Sequence, residues 1–351
     1  MSDGLDDRNQ EKLVTKDDFI NRIKRAYDYD ELITSLAFAG EEIRGKQKKS
    51  NMATVAFFLE FWPEEAEGFA RIISKRYGAK ELITELSNRC LDPSHITKDV
   101  INNCHNLILM SGTLTPTFMY KDILGFDDAK EVEFKNPFPE KNRLSLIIPE
   151  TSTKYARRNK DEYQKIAAKI EEITDNIPGN VIVFFPSYFL RNNVYAFMDK
   201  NKKRILLEKS GMTKEEKNDM LDQFKGHKDD GAILMAATAG SFGEGVDLPG
   251  DYLKGVIIVG LPLEKPTLEI KELISYYDRK FSRGWEYGYV YPAIIKVLQN
   301  AGRCIRSEND KGVIVFLDER YSWDSYYKCF PLDYNVKISK LYEKKIKEFF
   351  T

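Results

Sequence analysis

The sequence predicts an α/β protein organised around a doubly wound parallel sheet and preceded by an N-terminal helical segment. Runs of consecutive apolar residues, clearest at Val181–Phe185 and Val313–Leu317, are typical of strands that are covered on both faces. Amphipathic segments such as Lys154–Ile177 separate these runs. Because a helix carries the chain back to the start of each parallel strand, this alternation favours a parallel sheet.

The N-terminal stretch predicts helices rather than strands. Residues 1–12 are polar and predict a frayed end. Between residues 13 and 62 apolar side chains recur at helical spacing, and aromatic residues are concentrated in Ser50–Trp62. We expect this aromatic face to pack within the chain, with the docking of a partner as the alternative.

A strand pair is predicted next. Gly68–Tyr77 and Glu81–Arg89 show β-branched alternation on either side of a short glycine-containing turn. A short helix capped by Ser94 or Thr97 follows. The apolar run Leu107–Met110 then predicts a strand that leads directly into the sequence SGTL.

The remaining part of the chain carries the other strands of the predicted parallel sheet. They alternate with predicted helices, as a doubly wound sheet requires. The further strands are Arg204–Leu207, Ala232–Met235 and Gly255–Gly260, and the further helices are Asn192–Lys200 and Lys214–Phe224.

Composition excludes several classes of protein. The 351 residues, 42% of them hydrophobic, suffice for about two domains with sizeable cores. A net charge of −1 excludes a polybasic nucleic-acid binder, so any DNA contact must come from local patches. No signal peptide and no apolar run of bilayer length is present, which predicts a cytoplasmic protein with no membrane partner.

The cysteines argue against a metal site in this sequence. Cys90, Cys104, Cys304 and Cys329 are scattered without a C-x-x-C pair, and only three histidines accompany them. We therefore expect free thiols rather than zinc ligands or disulfides.

A glycine-rich loop follows the strand Ala232–Met235, and residues 238–250 are called the glycine loop below. Its glycines permit positive φ angles and a close approach to a phosphate. Its hydroxyl and carboxylate side chains are those of Thr238, Ser241, Glu244 and Asp247. Because the two acids would repel a phosphate, we expect them to hold the loop or to order water near a nucleotide. An ordinary turn is the alternative.

The sequence QNAGRCIR at Gln299–Arg306 concentrates cationic side chains. Helical spacing would bring Gln299, Arg303 and Arg306 to one side of a helix. Guanidinium groups offer a rigid fork of donors that suits carboxylates or phosphoryl oxygens. Solvated surface arginines in ordinary ion pairs are the alternative.

Other polar and aromatic residues stand where strands end. Ser187, Tyr188 and Arg191 follow Val181–Phe185, at the position where open α/β sheets bind ligands. Packing aromatics and a plain strand-to-helix turn are the alternatives for this segment and for SGTL. The stretch Asp278–Pro292 interleaves aromatic and basic residues, which suits either base stacking or a structural cover.

In this order and spacing, SGTL, the segment PSYFLRN after Val181–Phe185, the glycine loop and QNAGRCIR resemble motifs III, IV, V and VI of superfamily 2 helicases of the XPD branch. The resemblance covers roughly residues 64–330. It implies a RecA-like, P-loop NTPase-like second motor lobe at 125–351, a return segment of the first lobe at 63–124, and the end of an arch-type insertion at 1–62. It further implies ATP-driven 5′ to 3′ translocation on single-stranded DNA and duplex unwinding, as in nucleotide excision repair.

The resemblance also assigns residues to tasks. The catalytic group would be Arg303, Arg306 and Gln299. The nucleotide-binding group would be Gly243, Glu244, Gly245, Asp247 and Gly302. The group that contacts the nucleic acid would be Thr113, Ser187, Tyr188, Arg191, Thr238, Gly240 and Ser241. The arginines would act as fingers on the γ-phosphoryl group, a contribution of about 10³–10⁵ in rate.

The departures from the family pattern matter equally. The sequence contains no G-x-x-x-x-G-K-[ST] string, no D-E-A-H box and no cysteine quartet for the family's iron–sulfur cluster. ATP with Mg²⁺ would therefore be bound mainly by a first motor lobe, with its iron–sulfur domain, that must be supplied as a partner. We expect a C-terminal part of a helicase that is inactive alone, associated with the nucleoid or, in a eukaryote, nuclear.

Two other classes remain open. One is a single-stranded DNA-binding module on a helicase-like scaffold, which predicts salt-dependent binding that does not depend on Arg303 or Arg306. The other is a protein-interaction module that docks a partner on Ser50–Trp62, which predicts a gain in stability with that partner. A different nucleotide-binding enzyme is disfavoured, since it would need its own phosphate loop.

Overall fold

The computed structural model describes residues 10–63, 67–77, 81–243, 245, 248–263 and 266–351. The strands are β1 (Gln10–Leu13), β2 (Phe69–Tyr77), β3 (Leu82–Cys90), β4 (Arg143–Ile147), β5 (Val181–Phe185), β6 (Arg204–Leu207), β7 (Ala232–Ala237), β8 (Gly255–Val259), β9 (Gly312–Leu317) and β10 (Lys337–Ile338). The helices are α1 (Lys16–Lys24), α2 (Tyr29–Arg44), α3 (Asn51–Phe61), α4 (Ser94–Asn103), α5 (Thr117–Leu124), α6 (Lys160–Thr174), α7 (Tyr188–Tyr195), α8 (Lys214–Gly226), α9 (Leu268–Phe281), α10 (Tyr291–Ala301), α11 (Asp324–Tyr327) and α12 (Tyr342–Phe350). Two predicted site residues, Glu244 and Asp247, lie outside the described residues.

The chain forms two compact units. The first holds the described residues of Met1–Leu107, Lys121–Asp127 and Lys265–Gly288, and the second holds those of Ile108–Tyr120, Asp128–Glu264 and Tyr289–Thr351. No helix in the described ranges is long and apolar enough to cross a lipid bilayer.

The first unit combines the predicted helical segment with a three-stranded antiparallel sheet of order β1-β2-β3. The helices begin where side chains cap them: Thr15 Oγ1 accepts from the N–H of Asp18 at 3.1 Å, and Ser50 Oγ accepts from that of Ala53 at 3.3 Å. The predicted strand pair is confirmed as β2 and β3. Residues 10–12 were expected to be frayed, and this was wrong because β1 pairs with β2, a contact that local polarity does not reveal.

The second unit contains the predicted parallel sheet. Its seven strands run in the order β10-β4-β9-β8-β5-β7-β6, and every neighbouring pair is parallel. Successive residues of β5 face opposite sides, so Ile182 and Phe184 enter one apolar cluster and Val183 and Phe185 the other. Helices therefore cover both faces, which confirms the α/β doubly wound class.

Several predicted boundaries shift for local reasons. α6 begins at Lys160 rather than Lys154, because Asn159 caps it and accepts from the N–H of Glu162 at 2.9 Å. α7 begins at Tyr188, four residues before the predicted start, because Ser187 supplies the cap. The strand predicted at Leu107–Met110 is wrong, since this run forms neither strand nor helix.

Candidate functional site

Two loops that carry predicted site residues leave the same edge of the seven-stranded sheet. β5 ends at Phe185 and is followed by Ser187 and Tyr188. β7 ends at Ala237 and is followed by the glycine loop. Because β5 and β7 are neighbouring parallel strands, both loops lie at carboxyl ends, where open α/β sheets bind ligands.

The carboxylate of Glu208, a residue that sequence reasoning missed, ties the glycine loop to the end of β6. Glu208 follows β6 directly and is fully buried. Its Oε2 accepts a hydrogen bond from the N–H of Ala237 at 2.7 Å, and its Oε1 accepts one from the N–H of Phe242 at 3.3 Å. A carboxylate that has lost its water needs such donors. Glu208 therefore fixes the two ends of the bend between β7 and Phe242.

Glycine is required where the loop passes this carboxylate. A Cβ on Gly240 would lie 2.4 Å from both carboxylate oxygens of Glu208, far inside any normal contact. Gly245 has a φ of 64°, in the left-handed region that side chains disfavour. Gly245 thus has a positive φ, and the group that Gly240 approaches is a protein carboxylate; a contact of the loop glycines with a phosphate stays a prediction.

Two hydroxyls that were predicted to contact nucleic acid make internal hydrogen bonds. Thr238 is buried, and its Oγ1 donates to the carbonyl of Phe185 at 3.0 Å. Ser187 Oγ accepts from the N–H of Leu190 at 3.3 Å and caps α7. These bonds favour a structural task for Thr238, while the contacts predicted for Ser187 and for the neighbouring Gly240 and Ser241 stay predictions.

Arg191 and Tyr188 lie on the first turn of α7 beside Glu208. Arg191 is buried, donates to the carbonyl of Glu208 and bonds Asn192 Oδ1 at 2.7 Å. This position favours a structural task for Arg191 over the predicted DNA contact. Tyr188 is half-buried, and burial together with the Glu208 carboxylate raises its pKa. Tyr188, which was predicted to contact DNA, therefore lies beside the carboxylate that holds the glycine loop.

The expectation that Gln299, Arg303 and Arg306 share one face of a helix is wrong. α10 ends at Ala301, and Gly302 is its C-cap, so both arginines follow the helix rather than belong to it. Glycine has low helix propensity, and the motif glycine therefore ends the helix where spacing alone predicted continuation.

The two arginines differ sharply in their surroundings. Arg303 is 6% exposed, and its guanidinium donates to the carbonyl of Gly243 in the glycine loop. Arg306 is exposed, and its backbone N–H donates to Asp310 Oδ2 at 2.7 Å. Arg303 therefore contacts the glycine loop, whereas Arg306 lies on the surface of the second unit.

The last turn of α10 connects this region to two further segments. Gln299 Nε2 donates to Thr113 Oγ1 of SGTL at 3.3 Å. The next residue, Asn300, is buried, and its Nδ2 donates to the carbonyl of Thr238 at 3.3 Å. Asn300 Oδ1 is buried and has no hydrogen-bond partner among the described residues. Sequence reasoning missed Asn300, although it stands within QNAGRCIR.

Lys217 on α8 adds a cation beside the glycine loop. Its Nζ lies 5.9 Å from the ring centroid of Phe242. Burial and the positive charge of Arg303 lower the pKa of Lys217, and the negative charge of Glu208 opposes that shift. Among the described residues, two cations and one carboxylate therefore lie near one another at the loop.

The described residues do not fit the metal groups that the resemblance implies. They contain no group of three or more His, Cys, Asp or Glu side chains that could hold a metal ion. An iron–sulfur cluster needs four thiolates together, whereas Cys90 and Cys104 are exposed and Cys304 is buried, with its pKa raised to about 12 by burial.

The aromatic and basic stretch Asp278–Pro292 packs part of its rings inside the first unit. The ring centroid of Tyr277 lies 5.7 Å from that of Phe281 and 6.3 Å from that of Tyr287. Trp285 is half exposed. The packed rings favour a structural cover at these positions over base stacking.

The known proteins that this chain resembles include several helicases. The family described as "Helicase C-terminal domain" matches residues 170–335. A probable ATP-dependent helicase of Methanocaldococcus jannaschii is 31% identical over 234 residues, which cover 62% of this chain and 35% of that protein. The general transcription and DNA repair factor IIH helicase subunit XPD/RAD3 of Saccharomyces cerevisiae is 25% identical over 249 residues, covering 66% of this chain and 32% of that protein.

The fold agrees with these relatives. A solved structure of XPD in its apo form superposes with a TM-score of 0.60 at 21% identity, covering 87% of this chain and 61% of that one. The chain spans about a third of the length of the curated relatives it matches. Residues 170–335 match the helicase C-terminal domain, and the chain resembles the C-terminal portion of XPD-like superfamily 2 helicases.

Proposed function

We propose that this chain supplies the second motor lobe of an ATP-dependent DNA helicase. ATP with Mg²⁺ would be held mainly by a first motor lobe that carries the phosphate loop and the D-E-A-H box, and this chain would complete the site. The complex would move 5′ to 3′ on single-stranded DNA and unwind duplex, in a repair pathway such as nucleotide excision repair. The relative in Saccharomyces cerevisiae, a subunit of a DNA repair factor, supports the repair context.

The observation that carries the proposal is a chain of contacts at the carboxyl edge of the sheet. Arg303 donates to Gly243, Glu208 accepts from Ala237 and Phe242, and Gln299 donates to Thr113. Segments that resemble three different helicase motifs are therefore joined within one unit. A change in the position of one of them is transmitted to the others through hydrogen bonds.

Arg306 and Arg303 would have different tasks in hydrolysis. Arg306 is exposed and would stabilise charge on the transferring γ-phosphoryl group directly. Arg303 is bonded to Gly243, so a shift of its guanidinium towards the nucleotide would be felt by the glycine loop. Gln299 would report the same event to Thr113.

The DNA side of the proposal involves the beginning of α7. Tyr188 is half-buried at the beginning of α7, and a base would stack on its ring. Ser187, Ser241 and Gly240 would contact phosphates near the same edge. Because Tyr188 lies beside Glu208, a strand bound there would affect the carboxylate that holds the glycine loop.

The test combines the full chain with a purified first motor lobe of the XPD type and measures ATP hydrolysis with and without single-stranded DNA. The chain alone is expected to be inactive, and the mixture is expected to show DNA-stimulated hydrolysis. Arg306→Ala should lower the rate of the mixture by about 10³–10⁵. Strand displacement on duplexes with a 5′ or a 3′ tail would give the polarity.

A matched control is available on the same unit. Arg204 is an exposed arginine at the start of β6, at the opposite edge of the sheet, and Arg204→Ala should leave the rate unchanged. Robust DNA-stimulated hydrolysis by the chain alone would contradict the proposal. Single-strand binding without any hydrolysis in the mixture would instead identify a DNA-binding module.

A further inference from the structure

A cavity of about 300 Å³ lies at the amino ends of two strands of the second unit. Arg143, Leu144 and Ser145, the first three residues of β4, line it together with Lys337, the first residue of β10. All strands of this sheet run parallel, so their amino ends share one edge. The cavity therefore lies at the edge opposite the carboxyl ends from which the glycine loop leaves the sheet.

The register of β10 explains why there is space at this place. The two residues of β10 lie opposite Leu146 and Ile147 of β4. No strand in the described ranges therefore lies beside Arg143–Ser145 on the side of β10. The space that is left is lined by Tyr334, which precedes β10, and by Phe349 of α12.

Three cationic side chains line the cavity, those of Lys141, Arg143 and Lys337. Within the part of the chain that the structure describes, no ion pair joins any of them to a carboxylate. Other cations of the same unit are paired, as Lys169 is with Glu150 at 2.9 Å. The cavity therefore concentrates positive charge that the chain itself does not neutralise.

Arg143 is held in place without using all of its donors. Its Nη2 donates to the carbonyl of Asp333, and its guanidinium lies 4.6 Å from the ring centroid of Tyr334. Its Nε and Nη1 make no hydrogen bond to another described residue. A positioned guanidinium with unused donors is suited to an anion, because it offers a rigid fork of N–H groups.

Acidic side chains do not cancel this charge. The carboxylates of Glu140 and Asp333 also line the cavity. A fourth cation lies close by, since Lys311 Nζ is 5.0 Å from the ring centroid of Phe349. Cations thus outnumber carboxylates, and a cleft lined mainly by one sign of charge attracts ions of the opposite sign.

The hydroxyl of Ser145 is a second, independent observation. Ser145 is 2% exposed, and its buried Oγ has no hydrogen-bond partner among the described residues. A buried hydroxyl without a partner is destabilising, and most buried polar atoms do have one. Because Ser145 is among the residues that line the cavity, an oxygen of a bound ligand would supply the missing acceptor.

We propose that this cavity binds a small molecule that carries a phosphate group. The phosphate lies between Lys141, Arg143 and Lys337, and one of its oxygens accepts a hydrogen bond from Ser145. A volume of about 300 Å³ is at the lower end of the range for small-molecule sites, which suits such a ligand and not a macromolecule. Neither a first motor lobe nor ATP hydrolysis is needed for this binding, so the site is independent of the proposed function.

Isothermal titration calorimetry of the full chain with pyrophosphate, inorganic phosphate and AMP tests the proposal. Pyrophosphate should bind at one site per chain, with an affinity that falls as the salt concentration rises, because the contacts are ionic. Comparison of inorganic phosphate with AMP shows whether the free ion or a phosphorylated organic molecule binds more tightly.

Lys337→Gln should weaken the binding of pyrophosphate by about 10–100-fold, as expected for the loss of a hydrogen bond between charged groups. Lys337 is exposed, so the fold should be unaffected. The matched control is Lys165→Gln, because Lys165 is an exposed lysine of α6 that does not line the cavity. The control variant should bind pyrophosphate as the wild-type chain does.

Three results would overturn the proposal. The first is no binding of any of the three probes, or equal binding by Lys337→Gln and the wild-type chain. The second is binding that Arg306→Ala abolishes and Lys337→Gln preserves, which would place the ligand at the candidate site. The third is displacement of bound pyrophosphate by single-stranded DNA, which would identify the cavity as part of a DNA contact.

Ser145→Ala provides a further measurement. It should weaken the binding of pyrophosphate about tenfold, since it removes a donor to a charged ligand. It should not lower the melting temperature of the chain without ligand, because the hydroxyl that it removes has no partner there. Unchanged binding by this variant would overturn the proposed position of the phosphate.

Discussion

Two buried charged clusters at the carboxyl edge of the seven-stranded sheet are built in different ways. In the first, Arg320 forms a two-pronged pair with Asp318, with Nε and Nη2 each 2.8 Å from a carboxylate oxygen. Thr153 completes this pair through its N–H and its hydroxyl. In the second, Glu208 and Arg303 bond to backbone groups of Ala237, Phe242 and Gly243.

The Asp318–Arg320 cluster is therefore structural, whereas the cluster of Glu208 and Arg303 can rearrange. The Asp318–Arg320 pair is closed, because each charge is satisfied by its neighbour, and the charge of Asp318 raises the pKa of Arg320 despite burial. The bonds of Glu208 and Arg303 end on backbone groups of Ala237, Phe242 and Gly243, so a ligand that competes for Arg303 changes the loop. Mutations in the first cluster should therefore change the free energy of unfolding. Mutations in the second should change how the glycine loop responds to a ligand at Arg303.

The largest effect is expected for Asp318→Ala. It leaves the buried guanidinium of Arg320 without its carboxylate, which should lower the free energy of unfolding by about 3–5 kcal/mol. Chemical denaturation or calorimetry of the full chain measures this. Glu319→Ala is the control, since the partly exposed pairs of Glu319 with Lys154 and Arg157 should contribute about 1 kcal/mol or less. Similar losses in both variants would remove the distinction between the clusters.

A smaller effect is expected for Glu208→Gln. The amide nitrogen of glutamine cannot accept from the N–H of Ala237 or Phe242, so one loop bond is lost, and the free energy of unfolding should fall by about 1–3 kcal/mol. Hydrogen exchange at Ala237 and Phe242 should accelerate. Exchange that stays at the wild-type rate would show that Glu208 does not hold the loop.

Glu216→Gln is the matched control for that variant. Glu216 is exposed and accepts from the N–H of Thr213 at 2.8 Å in the capping box of α8. Glutamine can also fill this position of a capping box, so loop exchange should be unaffected. Gly240→Ala should disturb the loop as Glu208→Gln does, because the added methyl group meets the Glu208 carboxylate.

The smallest effect on stability is expected for Arg306→Ala. Arg306 is exposed, so the free energy of unfolding should change by less than about 0.5 kcal/mol. Arg303→Ala removes a buried donor to Gly243 and should be more destabilising. Calorimetry measures the loss in free energy of unfolding for each variant. A larger loss for Arg306→Ala than for Arg303→Ala would contradict the description of Arg306 as exposed and Arg303 as buried.

Local pattern was sufficient to predict most of the sheet of the second unit. Val181–Phe185 is a strand with the predicted bounds, because a short uninterrupted apolar run that follows Pro178 and Gly179 is typical of a buried strand. β4 and β10 were not predicted. β10 is only two residues long and takes its identity from pairing with β4, a contact between segments distant in sequence.

The candidate site was predictable in its motifs but not in its internal bonds. The glycine loop and QNAGRCIR are visible as strings, whereas Glu208 is a single acid in a chain that is 31% charged. Its importance comes from full burial and from two backbone donors supplied by a different loop. The one signal available was its position directly after a predicted strand.

The sequence by itself determined the α/β class, the helicase-like motifs and the absence of a phosphate loop from this chain, because these depend on residue type and short-range spacing. Only the tertiary structure decided which arginine is buried, which carboxylate holds the glycine loop, and that Leu107–Met110 lacks a sheet. Those features depend on contacts between segments far apart in the chain, and no local pattern of residues specifies such contacts.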